Sequence, residues 1–322
     1  MRTMKIKKCL SCYKDLKDSE QDFHPKCSRK LFDKSEPPLI SITQTEIYDL
    51  AKKIISTRST VTGVQPKLSL NIEKLKDGNK SDRFTLVGLI GDYILKPPSE
   101  KYPELPEVED LTMHLADLSK IKTVPHSLIK LKSGEVAYIT KRIDRTKTKK
   151  LHMEDMCQLT ERLTEHKYHG SYEQIAKVIL KYSQTPFLDI VNFYEIVLFS
   201  FLTGNSDMHL KNFSLIDTTT IGSFHLAPAY DLVATALVNP DDKEELALTL
   251  NGKKKNICQN DFLNAFKSAN LEEKVFYNLI SKFESSVNIM IQFIDKSFLS
   301  LPMKTNYKKL ILHKAKQLEF KF

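Results

Sequence analysis

A chain of 322 residues, 41% hydrophobic and 28% charged, can bury a sizeable core in two lobes and needs no disulfide staple. Lys and Arg outnumber Asp and Glu by 49 to 40, a net charge of +9 spread along the chain, which reads as a Lys-rich solvated surface ahead of a dedicated nucleic-acid site. No long unbroken apolar run marks a transmembrane helix, and the basic start MRTMKIKKCLSCYKD has no apolar stretch behind it, so the expectation is a cytoplasmic protein with reduced thiols at Cys9, Cys12, Cys27, Cys157 and Cys258.

Residues 1–37 read as a short cysteine-bearing head that stops at Pro37-Pro38. A polar, helix-capable stretch with Leu50, Ile54 and Ile55 follows, then a hydroxyl-rich loop from Ser56 to Gly63. Alternation predicts a strand over Leu68–Ile72, and Lys76-Asp77-Gly78-Asn79 is a turn signal. Phe84–Val87 and Tyr93–Lys96 read as further strands around a Gly88/Gly91 turn, the second stopped by Pro97-Pro98. Over 104–119, Leu105, Val108, Thr112, Leu115 and Leu118 recur with a helical period. Residues 128–143 alternate again about Lys132-Ser133-Gly134, a hairpin.

From about residue 151 the pattern turns helical. DIVNFYEIVLFSFL, residues 189–202, is apolar nearly all round and belongs in an interior. Residues 258–319 hold two or three amphipathic helices, and Lys141–Lys150 reads as the linker. The expected class is α+β, a two-lobed protein-kinase-like fold with a small β-rich N-lobe over 38–147 and a larger all-helical C-lobe over 148–322.

Directly after the interior helix stands Gly204-Asn205-Ser206-Asp207-Met208-His209-Leu210-Lys211-Asn212-Phe213, which contains Asp-x-x-x-x-Asn, the spacing of kinase catalytic loops. Phosphoryl transfer needs positioning and charge neutralisation more than covalent help. Asp207 can accept the proton of an incoming hydroxyl. Asn212 can hold Mg²⁺ through an uncharged oxygen, and Asp231, 19 residues on past a hairpin through Asp217–Gly222, supplies the second oxygen ligand. The bland alternative for this loop is Asx capping at a helix end.

Lys96, closing the apolar strand Tyr93-Ile94-Leu95-Lys96, can reach ATP phosphates and pair with Glu107 or Glu109 of the next helix, or it can simply snorkel. Lys67 follows the hydroxyl loop, whose backbone near Gly63 could approach phosphates, although the loop has no G-x-G-x-x-G. At the linker, Thr140, Arg142 and Asp144 are candidate nucleotide contacts, with a plain surface ion pair as the alternative for Asp144. Cys157 reads as a small buried hydrophobe.

Four stretches, Thr62-Gly63-Val64-Gln65-Pro66-Lys67-Leu68, Ile94-Leu95-Lys96-Pro97, Glu154-Asp155-Met156-Cys157-Gln158 and the Gly204–Phe213 loop with Tyr230-Asp231, together resemble the HipA-like serine/threonine kinases of bacterial toxin–antitoxin systems. The short length and the cysteine head resemble the compact HipT of three-gene HipBST systems. The resemblance implies Asp207 as catalytic base, Asn212 and Asp231 as Mg²⁺ ligands, and Lys96, Gln158, His209, Lys211 and Gly63 at ATP. It implies a phosphate loop that autophosphorylates. Where relatives carry Ser-x-Ser this chain has Thr60 and Thr62, with Ser59 adjacent, so the modified residue stays open. It also implies an aminoacyl-tRNA synthetase substrate, a HipS-like small antitoxin and a DNA-binding HipB-like partner.

Cys9-x2-Cys12-x11-His24-x2-Cys27 has the ligand types and a first knuckle suited to tetrahedral zinc, which four protein ligands would make structural; the alternative is three reduced thiols and a surface histidine. Two other functions compete: a lipid or small-molecule kinase of the same fold, and a zinc-headed nucleic-acid-binding protein. The first lacks any membrane-binding or lipidation signal, and the second gives no reason for Asp207, Asn212 and Asp231 to share one order and spacing.

Overall fold

The computed structural model describes residues 7–47, 67–73, 82–87, 91–146, 149–219 and 221–321. Two compact units divide the chain. One holds the residues up to Asp110 with Val124–Ile143 and Lys296–Phe298; the other holds Leu111–Thr123, Asp144–Asp295 and Leu299–Phe322.

The first unit is built on a six-stranded sheet of β1 (Leu39–Ile40), β2 (Leu68–Glu73), β3 (Arg83–Leu86), β4 (Tyr93–Lys96), β5 (His126–Lys130) and β6 (Val136–Lys141), in the order β1-β3-β2-β4-β6-β5. The β5–β6 hairpin forms where alternation and Lys132-Ser133-Gly134 predict it, with Gly134 at φ +100° taking the turn conformation that side chains resist. Successive residues of β4 point to opposite faces. Tyr93 and Leu95 therefore share one face. There the rings of Phe84 and Tyr93 meet edge to face, with centroids 5.3 Å apart, beside Phe32 from helix α1 (Pro25–Phe32). Lys96 points the other way, toward helix α2 (Leu105–Leu118), whose residues through Asp110 belong to this unit.

The second unit is mainly helical: α3 (Met156–Leu159), α4 (Tyr172–Tyr182), α5 (Pro186–Thr203), α6 (Thr235–Val238), α7 (Gln259–Ser268), α8 (Glu273–Ile294) and α9 (Leu301–Gln317). Helix α5 has the length and hydropathy of a membrane span, yet 72% of that window is buried within the protein, as its all-round apolar pattern requires of a core helix. Its Phe193 packs on Phe213 at 4.9 Å, and its Tyr194 on Phe266 at 5.0 Å. Each such ring buried contributes about 1.5–3 kcal/mol.

The unit is not all-helical as expected. An antiparallel sheet of β7 (His152–Asp155), β8 (Ser214–Asp217) and β9 (Phe224–Leu226) lies in it, in that order. The β8–β9 hairpin occupies the predicted Asp217–Gly222 position. Asp217 ties the turn by accepting from the Thr219 N–H at 2.8 Å and the Gly222 N–H at 2.6 Å. Strand β7 takes the place of the first residues of a helix expected from His152, and the helix starts only at Met156. Pairing with β8 decides this, because His152-Met-Glu-Asp carries little strand propensity of its own.

Candidate active site

The second unit presents the acidic loop. Helix α5 ends at Gly204, whose φ of +69° is left-handed and whose Asn205 N–H returns to the Ser200 carbonyl at 2.7 Å. A Cβ on Gly204 would also come within 2.8 Å of Leu310. This tight stop turns the chain sharply from the buried helix into the loop. The Asn205 Oδ1 then accepts from the Asp207 N–H at 3.1 Å, and Ser206 donates to Asp242 at 2.7 Å. Both bonds fix the backbone on the approach to Asp207.

The Asp207 side chain is 42% exposed, and its Oδ1 accepts from the Tyr168 hydroxyl at 2.5 Å. Burial and the Asp207 charge raise the Tyr168 phenol above its ordinary range, so it stays a proton donor. The Asn212 amide donates to the Asp207 backbone carbonyl at 2.9 Å. That bond uses the nitrogen and turns the amide oxygen into the acceptor it has left to offer. Tyr230 donates to the Lys211 carbonyl at 3.1 Å and shares a 2.5 Å bond with the Ser214 hydroxyl, which brings the neighbouring Asp231 to this loop. Asp231 has a left-handed φ of +56°, and its charge acts on His209. The oxygens of Asn212 and Asp231 are hard donors of the kind Mg²⁺ prefers, so the residues present fit that ion.

His209 is buried, with the Tyr168 ring edge-on to it at 5.0 Å. Desolvation pushes its pKa down to about 4, against a smaller pull from Asp207, so the ring is neutral at pH 7. Lys211 donates to Asp155 at 2.6 Å. Asp155 also caps α3, with Gln158 closing the reciprocal bond to the Asp155 N–H at 2.9 Å. The predicted trio thus comes together on one loop system, while Gln158 and Lys211 both meet Asp155 at its flank. Cys157 is buried, in keeping with a packing role.

The first unit presents the lysine. Lys96 is 4% exposed and Glu109 is 1% exposed, and the Lys96 ammonium donates to the Glu109 carboxylate. Of the two glutamates open to it in sequence, the structure selects Glu109. Glu107 is instead raised by desolvation to about 7, with Glu104 and Asp110 adding to the rise. The Lys96 ammonium also lies 5.3 Å from the centre of the Tyr138 ring, its partner across β4 and β6. Thr140 is buried and donates to the Pro125 carbonyl at 3.0 Å, and the Arg142 N–H donates to the Asp92 carbonyl at 2.8 Å. Asp144, in the second unit, is buried and its carbonyl accepts from the Leu151 N–H at 2.8 Å. Ser59, Thr60, Thr62 and Gly63 lie outside the described residues.

Two residues escaped the sequence reading. Tyr168 stands 39 positions before Asp207, so no local spacing links them. Asp155 lies in the Glu154–Gln158 stretch, where the sequence alone assigns it no role. Its signal is legible as Asp155-x-x-Gln158 around the apolar pair Met156-Cys157, a variant of the capping box.

A mixed α+β chain with this sheet, this helical unit and this acidic loop has a kinase-like fold. The fold matches the HipA chain of a toxin–antitoxin complex of HipA, HipB and operator DNA from Shewanella oneidensis MR-1, with a TM-score of 0.66 at 20% identity, covering 88% of this chain and 72% of that one. It also matches the proinflammatory kinase CtkA of Helicobacter pylori, with a TM-score of 0.52 at 17% identity, over 70% of this chain and 87% of that one. The model of the HipA-like C-terminal domain matches residues 59–290, and the chain belongs to that family. Among curated relatives, the candidate kinase Y4dM of Sinorhizobium fredii is 32% identical over 237 residues, 68% of this chain and 55% of Y4dM. A candidate kinase of Haemophilus influenzae is 31% identical over 189 residues, 55% of this chain and 53% of that protein. The chain spans about half the length of these curated relatives.

Proposed function

We propose that this chain is an ATP- and Mg²⁺-dependent protein serine/threonine kinase. The observation that carries the reading is the Asp207 carboxylate, half-exposed and held by the Tyr168 hydroxyl, on the loop that also carries Asn212. Asp207 receives the proton of the attacking hydroxyl at Oδ2 while Tyr168 fixes Oδ1. The hydroxyl oxygen bonds the γ-phosphorus, the bond from phosphorus to the β–γ bridging oxygen breaks, and ADP leaves. Asn212 and Asp231 hold Mg²⁺, which when bound neutralises phosphate charge. Lys96, held by Glu109, contacts the phosphates. Thr140, Arg142 and Asp144 line the nucleotide, with Gly63 at its phosphates. Gln158, His209 and Lys211 support the ATP site from the loop and its flank.

The family membership and the HipA-like fold favour a toxin of a toxin–antitoxin system, here of the HipBST type. In this reading the substrate is an aminoacyl-tRNA synthetase, modified in the cytoplasm so that translation stops. A HipS-like small protein and a HipB-like DNA-binding protein are its partners, the latter by analogy with the solved HipA complex. The phosphate loop autophosphorylates at Thr60, Thr62 or Ser59. The test is incubation of the purified chain and its Asp207→Asn variant with γ-labelled ATP and cell extract, with and without EDTA. Label on protein serine or threonine that needs both Asp207 and Mg²⁺ is expected. Label in lipid or small molecules only would overturn the protein-kinase reading.

A further inference from the structure

Residues of the cysteine head lie outside the chemistry above, and they are gathered more closely than that chemistry requires. The Sγ atoms of Cys9, Cys12 and Cys27 and one ring nitrogen of His24 all lie within 4.8 Å of one another. A tetrahedral zinc with Zn–S of about 2.3 Å and Zn–N of about 2.0–2.1 Å has ligand–ligand edges of roughly 3.5–3.8 Å. His24 Nδ1 is 3.3 Å from the Cys12 sulfur and 3.9 Å from the Cys27 sulfur, so these edges are already nearly formed.

The orientation of the histidine is equally specific. Its Nε2 is 3.0 Å from the Asp15 carbonyl, which can only accept, so Nε2 carries the proton. Nδ1 is then the atom with the lone pair, and it is the one turned toward the sulfurs. A ring nitrogen anchored on a backbone carbonyl while the other faces the metal is the usual support of a ligating histidine. The Cys9 sulfur accepts from the His24 N–H at 3.4 Å, and the Tyr13 N–H closes the Cys9–Cys12 turn on the Cys9 carbonyl at 3.0 Å.

We propose that Cys9, Cys12, His24 and Cys27 form a structural zinc site that fastens the head to the sheet unit. Three thiolates and an imidazole suit a borderline-soft ion and exclude Mg²⁺ or Ca²⁺, and four protein ligands leave no open position for catalysis. The head needs such a tie. Over residues 7–33 its buried apolar side chains are few, Leu10, Tyr13, Phe23, Leu31 and Phe32 chief among them. A segment this small rarely holds itself together without a metal or disulfide, and its cysteines are free.

The site also reaches the lysine half of the proposed kinase centre. Cys27 sits in α1, whose Phe32 covers the β4 face and whose Leu31 carbonyl accepts from the Tyr93 hydroxyl at 3.0 Å. Tyr13, the residue after Cys12, donates to Asp110 at 2.7 Å, and Asp110 follows Glu109, the partner of Lys96. Zinc therefore braces the helix turn that holds the Lys96 partner.

The test measures metal on the full chain purified without chelator, in both the natural protein and its Asp207→Asn variant, so that the outcome is independent of kinase activity. About one zinc per chain is expected in both. Cobalt exchanged into the released site should give the intense d–d bands of tetrahedral thiolate coordination. Cys27→Ser and His24→Ala should lose zinc, whereas Cys157→Ser should keep it. If the first two fail to fold, the zinc content and cobalt spectrum of the natural sequence decide. Less than about a tenth of a zinc per chain with no cobalt spectrum, iron in place of zinc, or a disulfide mapped among Cys9, Cys12 and Cys27 would each overturn the proposal.

Discussion

The buried pair of the sheet unit and the acidic loop of the helical unit place charge in opposite settings. Lys96 and Glu109 are almost wholly desolvated and hold one another. Asp207 stays 42% exposed and is held by one phenol and by the backbone turns around it. A buried pair is a structural commitment: removing one partner takes compensation away from a charge whose surroundings solvate it poorly. A half-exposed carboxylate is cheap to alter structurally, so its alteration should register in chemistry and little in stability. The same type of side chain thus has separable roles in the two units.

Breaking the pair gives the largest expected change in stability. Glu109→Gln replaces the charged acceptor of the buried Lys96 ammonium with a neutral one, and urea unfolding should show a loss of about 1.5–3 kcal/mol, the worth of a hydrogen bond to a charged group. A loss under 1 kcal/mol would mean that the pair is not the desolvated contact described. A smaller effect, of the opposite kind, follows from Tyr168→Phe. It removes the 2.5 Å bond to Asp207 but keeps the ring on His209. Turnover should fall roughly tenfold, the worth of a hydrogen bond to a charged group, with the thermal midpoint nearly unchanged.

A third effect is one of pH and shows only below neutrality. Burial lowers His209 to about 4 in the folded protein, whereas an unfolded histidine titrates near its ordinary value of 6.5. Between those values the unfolded chain binds the extra proton, so stability is fully present above about pH 6.5 and declines as pH falls toward 4. His209→Gln should flatten that part of the stability–pH curve. An unchanged slope would assign the acid loss to other groups.

Much of the frame was legible because it is periodic. Tyr93–Lys96, the 126–141 hairpin, helix Leu105–Leu118 and the buried helix all follow from apolar spacing, and each lies within a few residues of its predicted place. Glu109 was legible in principle: it stands four residues after Leu105 and three before Thr112, on the buried face, where Glu107 does not. Strand β7 was not, since a four-residue polar strand exists only through its pairing with β8. Nor was Tyr168, whose partnership with Asp207 is created by the fold rather than by any nearby sequence. The Asp207, Asn212 and Asp231 trio was visible as spacing, but the bonds that aim it, from Asn205, Tyr168 and Tyr230, were not.

The most direct measurement is single-turnover phosphoryl transfer from γ-labelled ATP by the natural chain and by Asp207→Asn, paired with the thermal midpoint of each. A loss of about 10²–10⁴-fold in rate with the midpoint held within a degree or two is expected of a catalytic base whose side chain is half-exposed. Transfer at the natural rate by a folded Asp207→Asn protein would contradict the assignment of that loop as the catalytic centre.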